Sequence, residues 1–464
     1  MVWVGSVLPC RLWALAGIST AAIVRWPAAI AAILAGFVLA RSLKEGLGVR
    51  AACLGVLCWF GSVGLIDRSA DAGIDLLAGL GTILALNRLL TVGAGPIAGL
   101  FAAWAFLAGG WPPLALIGVA SILLGRKEAS PNLKMIAPVV VAIAAWSAWA
   151  LMTTRAEVWA AALSLPLTRG SAWTMALGVA SLGLPWTPFA LLALSPTIRS
   201  AWPESGRKYV TGWGLIAVAS LVVGTVVPGL ASASRLPALA GLAVVAAACW
   251  ESILASGTEL PASSRRWVHL AGLGLVIGWA ALMIPWAGNL ALSVGYYRPV
   301  GIVLIALAIG AATLAISSAW RADRRGALAA LVLLAVSIKL VHFGHHVPEW
   351  NYRNGQGPWG RAIAQWVPRG ATIHVLHGWP ADLLFAVDRP IRQLADPRLL
   401  PNRPGPSPKF LLLLESEFDH WQDHWPKVIK VARFEDERGE GRVVARTEGE
   451  FSWRKSALEA AGRE

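Results

Sequence analysis

Charged residues are scarce in this sequence of 464 residues, and acidic ones are scarcest where the chain is most apolar. Only 14% of the residues are charged and 56% are hydrophobic, whereas a soluble globular protein carries about 25% charged residues. Of the 26 acidic residues, 10 precede residue 341. The composition excludes an ordinary soluble protein and predicts a membrane protein with a more polar C-terminal region.

Cysteines and nucleotide-binding signatures are also few or missing. The four cysteines all lie in apolar stretches, so no disulfide framework is expected. The C-terminal region contains no GxGxxG, no Walker A loop and no CxxC pair. It therefore has no motif that indicates chemistry of its own.

Apolar runs are what the sequence has in quantity. Twelve of them are long enough to cross, or nearly cross, a hydrocarbon core of about 30 Å. They cover 26–43, 51–66, 75–90, 97–108, 112–124, 135–152, 173–194, 210–228, 236–255, 267–287, 299–320 and 326–341. The sequence thus predicts a polytopic α-helical membrane protein with about twelve transmembrane helices, in which residues 25–341 form the membrane domain.

The basic residues predict an orientation for these spans. If the C-terminal region lies outside, the cytoplasmic loops hold 15 of the 23 Lys and Arg residues before residue 342, as the positive-inside rule requires. Topology explains the net charge of +14, so no nucleic-acid partner is predicted. We expect a cell inner-membrane protein with residues 342–464 in the periplasm and with 8–22 as a helix on the outer membrane surface.

The C-terminal region, 342–464, has the pattern of a small soluble α/β domain. Breaks rich in proline and glycine separate its apolar segments. Helices are predicted at 359–367 and 417–425, and strands at 371–377, 383–388, 409–415, 428–434 and 441–447.

One polar cluster stands out among the apolar segments. Asp67, Arg68, Asp71 and Asp75 lie close together, and Asp75 opens a predicted helix on the exterior side. A carboxylate there could polarise an acceptor hydroxyl or hold a metal ion, with Arg68 pairing an anionic oxygen. The alternative is an N-cap at Asp75 and a solvated ion pair between Arg68 and Asp71.

Three histidines follow the last apolar segment. His342, His345 and His346 have the i, i+3, i+4 spacing that puts side chains on one helix face. No fourth ligand is nearby, so we interpret them as residues at the exit of the last span and predict no metal site.

Short motifs, in order along the chain, resemble the GT-C integral membrane glycosyltransferases, in particular the aminoarabinose-transferase and protein O-mannosyltransferase group. Asp75-Leu76-Leu77 is similar to an Asp-Met-Leu helix start, and Gly183-Leu184-Pro185-Trp186 to a Gly-x-x-Pro-Trp element. Ser234-Arg235-Leu236-Pro237 is similar to a Lys-Leu-Pro helix start on the lipid-donor side. Pro9–Leu15 and Arg25–Ala28 are similar to elements of the first exterior loop and the helix after it.

The chain also departs from the family pattern. Phe106–Pro112 resembles a Leu-Thr-Lys-Gly-Pro turn, but Gly109 stands where the family has lysine. The Asp-Glu pair of the family's first exterior loop has no counterpart, and it would precede Met1. We therefore expect residues 1–24 to be the remnant of that loop.

The resemblance implies a function and roles for specific residues. It implies transfer of a sugar from a polyprenyl-phosphate donor to a lipid, glycan or protein acceptor on the outer membrane face, with membrane lipids as further partners. In that reaction Asp75 and Asp71 are the candidate catalytic carboxylates, and Arg235 and Arg68 the candidate donor-phosphate ligands. Whether a divalent metal ion takes part stays open, as do the acceptor and the oligomeric state.

Two other functions stay open. A catalytically inactive GT-C homologue, acting as a membrane scaffold or lipid-binding partner, is favoured by Gly109 and by the missing acidic pair. A transporter ranks third, because the sequence shows no repeated halves with matching ionisable residues.

Overall fold

The computed structural model of the protein describes residues 20–65, 75–124, 133–153, 172–226, 231–255, 262–355, 357–376, 379, 381–394, 409–421, 425, 427–435 and 441–447. The chain divides into two compact units, Met1–His345 and His346–Glu464. We call the first the membrane unit and the second the C-terminal unit.

The membrane unit is a bundle of helices. They are α1 (Thr20–Leu47), α2 (Val49–Gly61), α3 (Asp75–Thr91), α4 (Pro96–Gly109), α5 (Trp111–Leu123), α6 (Leu133–Thr153), α7 (Ala172–Leu182), α8 (Thr187–Leu192), α9 (Pro196–Ser200), α10 (Glu204–Val226), α11 (Ala231–Leu254), α12 (Ala262–Ser293), α13 (Arg298–Arg321) and α14 (Arg324–Val341). Each of the twelve predicted apolar segments overlaps at least one of these helices, so the predicted polytopic α-helical architecture is confirmed.

Six of these helices are long and apolar enough to cross a bilayer unaided. The spans are Trp26–Leu47, Glu204–Thr225, Ser234–Leu254, Arg266–Ser293, Gly295–Arg321 and Arg324–Trp350. Shorter apolar helices account for most of the others, and α4 and α5 are the clearest case. They meet at Gly110, whose φ of 75° is accessible chiefly to glycine.

The predicted segment 173–194 is not one helix but two. Helix α7 ends at Leu182 and α8 begins at Thr187. Pro185 between them has no amide hydrogen to donate, and it disfavours a helical conformation at Leu184. The chain therefore turns at Gly183–Trp186, inside an otherwise continuous apolar run.

Small residues let the helices of the membrane unit approach closely. Helix α11 is the central one, with 89% of its most apolar window buried. A Cβ at Gly241 of this helix would lie 2.5 Å from the carbonyl oxygen of Trp213 in α10. Membrane helices associate by close packing at glycine and alanine, because the hydrophobic effect does not drive helices together within lipid.

The C-terminal unit contains a five-stranded mixed sheet. Its elements are α15 (Val347–Asn354), α16 (Gly357–Trp366), β1 (Ile373–Val375), α17 (Ala381–Val387), β2 (Ile391–Gln393), β3 (Phe410–Leu414), α18 (Glu415–Asp419), β4 (Val428–Glu435) and β5 (Gly441–Thr447). The strand order is β2-β1-β3-β5-β4, with β1 parallel to both β2 and β3 and the other pairs antiparallel. The predicted α/β domain is confirmed.

Both faces of this sheet are covered, which explains the unbroken apolar run of β3. Phe410 and Leu412 lie in a cluster with Ile363 of α16, whereas Leu411 and Leu413 lie in a second cluster. Alternate side chains of a strand point to opposite faces, so a strand buried on both reads as continuous apolar sequence.

One predicted strand is wrong. Residues 383–388 were expected to be extended, but α17 occupies Ala381–Val387, and the strand β2 follows it at Ile391–Gln393. Leu383 and Val387 are fully buried, and a Cβ at Gly360 of α16 would lie 2.5 Å from the Leu383 carbonyl oxygen. Packing of α17 against α16 stabilises the helix in a run too short for periodicity to classify.

Candidate functional site at the Asp75 end of the membrane unit

The helix bundle of the membrane unit has two ends, which differ in the contacts between helices. At one end Arg50 of α2 binds Glu251 of α11 at 2.6 Å, and Arg324 of α14 donates to the Ile253 carbonyl oxygen at 2.6 Å. We call this the Arg50 end. The opposite end, where α3 and α11 begin, is about 24 Å away along α11, measured from Glu251 to Arg235 at 1.5 Å per residue. We call it the Asp75 end.

Asp75 and Arg235, two of the four predicted site residues, begin helices at this end. Asp75 is the first described residue of α3, and Arg235 lies in the first turns of α11, half-buried between Ser234 and Leu236. Asp71 and Arg68 lie outside the described residues, as does the Asp75 side chain.

The first turn of α3 packs directly against the first turns of α11. A Cβ at Gly79 would collide with the Leu236 side chain, and Leu76, Leu80 and Leu236 are buried in one cluster. Gly79 lies one turn after Asp75, and Leu236 is the neighbour of Arg235. The fold therefore brings together two motifs that the sequence separates by 160 residues.

The Gly183–Trp186 turn joins the same end. The Val63 amide donates to the Leu184 carbonyl oxygen at 3.3 Å. A Cβ at Gly61 would lie 2.8 Å from Nε1 of Trp186, whose side chain is fully buried. The turn thus lies against the end of α2, on the side of the bundle where α11 begins.

Gly109, the position where the family pattern has lysine, is packed against the Asp75 helix. A Cβ at Gly109 would lie 2.6 Å from Cβ of Ala78 in α3 and 3.0 Å from Cγ of Pro113. Ala78 lies three residues after Asp75, so Gly109 is within about a turn of it. The short side chain is what lets α4 reach the first turn of α3.

The histidines after α14 do not lie on a continuing α-helix, which was the condition for the predicted common face. His342–His346 form a π-helical turn, which changes the angular spacing of the side chains. His345 packs against Trp286 at 5.0 Å and Tyr297 at 4.9 Å between ring centroids. Among the residues that the structure describes, no three His, Cys, Asp or Glu side chains are placed to hold a metal ion.

Sequence reasoning named Trp186 in a motif but gave it no role in the site, and the structure places it at this end. Its indole Nε1 is buried and has no hydrogen-bond partner among the described residues. The sequence signal was the Gly183–Trp186 motif, which is similar to a family element and did not indicate a break in the segment 173–194 or where the indole would pack.

Comparison with solved structures identifies the fold. The chain is similar to the crystal structure of ArnT from Cupriavidus metallidurans in the apo state, with a TM-score of 0.65 and 14% identity over 91% of this chain and 83% of that one. It is equally similar to the same protein bound to undecaprenyl phosphate, with a TM-score of 0.66 and 15% identity over 92% and 84% of the two chains. The predicted GT-C fold, with its C-terminal α/β domain, is therefore confirmed.

No protein-family model matches this sequence, and no curated protein does. The likeness to known proteins is therefore one of fold, and it covers 91% of this chain.

Proposed function

We propose that this multi-pass membrane protein transfers a sugar from a polyprenyl-phosphate donor to a hydroxyl group of a lipid, glycan or protein on the outer membrane face. The proposal rests on one observation above all: the Asp75 and Arg235 motifs meet at one end of a bundle with the ArnT fold. ArnT itself has been crystallised with undecaprenyl phosphate.

The chemistry assigns a role to each charged residue. An acceptor hydroxyl attacks the anomeric carbon, the bond from that carbon to the phosphate oxygen breaks, and the lipid phosphate leaves with the electron pair. Asp75 or Asp71 takes the hydroxyl proton as general base. Arg235 and Arg68 bind the phosphate and stabilise its developing charge.

The placement in an inner membrane with an exterior C-terminal unit belongs to this proposal. It follows from the bias of Lys and Arg toward the opposite loops. Cysteine labelling at Ser6→Cys and Ser407→Cys in intact cells tests it: both should react from outside, and a Ser407→Cys that reacts only after the inner face is opened would overturn the orientation.

A pair of matched substitutions tests the catalytic carboxylate. Asp75→Asn keeps shape and capping ability but removes the charge, so transfer from an undecaprenyl-phosphate sugar should be abolished while the protein still inserts. Asp323→Asn is the control, because Asp323 also begins a helix, α14, but at the Arg50 end, where it accepts from the Arg325 and Gly326 amides. Full activity in Asp75→Asn would remove this residue from the site.

A second pair tests the phosphate ligand. Arg235→Leu should weaken binding of undecaprenyl phosphate more than it lowers the rate at saturating donor, because the phosphate loses a partner while apolar contacts with the lipid remain. Arg321→Leu, an exposed arginine in the last turn of α13, should bind as the unchanged protein does. Equal binding by both variants would contradict the role of Arg235.

The scaffold alternative keeps one observation in its favour. Gly109 packs so closely on Ala78 that a lysine could not replace it without moving α4. If the unchanged protein binds undecaprenyl phosphate through Arg235 but transfers no sugar from any such donor, it is a lipid-binding homologue and not an enzyme.

A further inference from the structure

A cleft at the Arg50 end has no role in the proposed transfer. It has a volume of about 440 Å³ and lies between α1, α3 and α4. Its polar lining includes Arg41, Ser42, Asn87 and Arg88. Arg88 is 13 residues after Asp75 on α3, so the cleft lies about 20 Å from the Asp75 end along that helix.

The lining changes from apolar to charged along the helix axis. Phe37, Leu84 and Phe101 line the part nearer the middle of the three helices, whereas Arg41, Arg88 and Glu45 line the part nearer their ends. Phe37 is 64% exposed, which places an apolar wall open to lipid beside the charged rim. A molecule with a charged head and an apolar tail matches this gradient.

The floor of the cleft is polar but already satisfied. Tyr209 of α10 donates to Oδ1 of Asn87 at 2.8 Å, and Nδ2 of Asn87 donates to Oγ of Ser42 at 3.1 Å. Ser42 and Asn87 are each only 8% exposed. This network holds α1, α3 and α10 together and leaves the binding of a headgroup to the arginines at the rim.

The rim carries a positive charge that its own acid does not balance. Glu45 accepts a hydrogen bond from Arg41 at 3.2 Å, so this acid pairs with Arg41 and does not balance the charge of Arg88. Among the described residues the guanidinium of Arg88 has no hydrogen-bond or ion-pair partner, and it is half-buried. A guanidinium in this position is suited to a phosphate, which it can bind through two parallel hydrogen bonds.

We propose that this cleft binds an anionic phospholipid, with the headgroup phosphate on Arg88 and an acyl chain along Phe37, Leu84 and Phe101. Basic pockets between membrane helices on the cytoplasmic side bind anionic lipid headgroups, and the orientation proposed above puts the Arg50 end on that side. The site is separate from sugar transfer: it rests on the orientation proposed above but not on the proposed activity.

Native mass spectrometry of the full chain, released from detergent with phosphatidylglycerol or phosphatidylcholine, tests the proposal. The unchanged protein should retain phosphatidylglycerol in preference. Arg88→Gln should bind it about five-fold more weakly, since an arginine near a membrane surface contributes about 1 kcal/mol. Arg321→Gln is the control, because Arg321 is likewise a basic residue in the last turn of an apolar helix at the same end, and it should bind as the unchanged protein does.

A second variant tests the apolar half of the site. Val38 of α1 also lines the cleft. Val38→Trp fills the cleft without changing its charge, and it should also reduce retention of phosphatidylglycerol. The proposal is overturned if Arg88→Gln retains the lipid as well as the unchanged protein, or if Arg321→Gln loses it equally. It is also overturned if inorganic phosphate alone displaces the lipid, since the cleft would then be a simple anion site.

Discussion

The two ends of the membrane unit are stabilised in different ways. At the Arg50 end, charged side chains join helices: Arg50 binds Glu251, and Arg324 binds the Ile253 carbonyl oxygen. At the Asp75 end, the described contacts between helices are mostly apolar and close, with glycine facing a large side chain, as at Gly79 and Leu236.

At the Arg50 end, the charge between α2 and α11 serves structure. Glu251 has a side chain only 16% exposed and a cation at hydrogen-bond distance, so its cost of burial is offset within the protein. The helix starts at the Asp75 end are held by apolar packing around Leu236. The two ends are thus stabilised by different interactions, one by charge and the other by close apolar contact.

The largest effect is expected where apolar packing is tightest. Trp59 of α2 is fully buried and donates to the Ala32 carbonyl oxygen at 3.0 Å. Trp59→Ala should lower the free energy of unfolding by about 3–5 kcal/mol, because it leaves a large cavity. Thermal unfolding in detergent measures this, with Trp320→Ala as the control, since Trp320 is 91% exposed. Equal losses of stability in Trp59→Ala and Trp320→Ala would contradict the importance of buried packing at Trp59.

A smaller effect is expected from closing the space at Gly79. Gly79→Ala places a methyl group against Leu236, which should cost about 1–3 kcal/mol and also weaken binding of undecaprenyl phosphate, because the turn bearing Arg235 must move. Gly118→Ala is matched to it, as another helical glycine with open space around it; it should stabilise α5 by up to about 1 kcal/mol. If Gly79→Ala binds the donor as the unchanged protein does, the contact between Gly79 and Leu236 does not position the donor site.

Breaking the ion pair at the Arg50 end should cost less again. Arg50→Met leaves Glu251 without its cation, and we expect a loss of about 1–2 kcal/mol, because the arginine side chain is 47% exposed and water screens the pair. Glu251→Gln should recover part of the loss in the double variant. The exposed Glu204–Lys208 pair is the control, and its removal should leave the unfolding midpoint unchanged.

The smallest effect concerns the C-terminal unit and depends on pH. Burial, together with nearby Lys409 and Arg392, lowers the pKa of His374 below its usual value. The unfolded chain then binds the proton more readily, so the stability contribution is complete above about pH 6.5 and is lost as pH falls below it. His374→Leu should flatten this dependence in thermal unfolding of the full chain, whereas His420→Gln, an exposed histidine, should keep it. If His374→Leu leaves the dependence of stability on pH unchanged, that dependence comes from other groups.

By itself the sequence determined the class of the protein and the positions of its apolar helices. Scarce charge and long apolar runs leave few alternatives to membrane helices, since backbone polar groups in lipid must be satisfied within the helix. The same reasoning misassigned 383–388, because a short apolar run suits a buried strand and a buried helix equally well.

Only the tertiary structure decided which distant motifs meet. The Asp75 and Arg235 motifs share no local signal, and their contact depends on Gly79 accommodating Leu236. Nor did the sequence indicate the cleft at Arg88, which lies between α1, α3 and α4 beside a buried Asn87. Periodicity reports the face that a helix buries, but the partner of that face is set by the fit of side chains from remote segments, which only the folded bundle brings together.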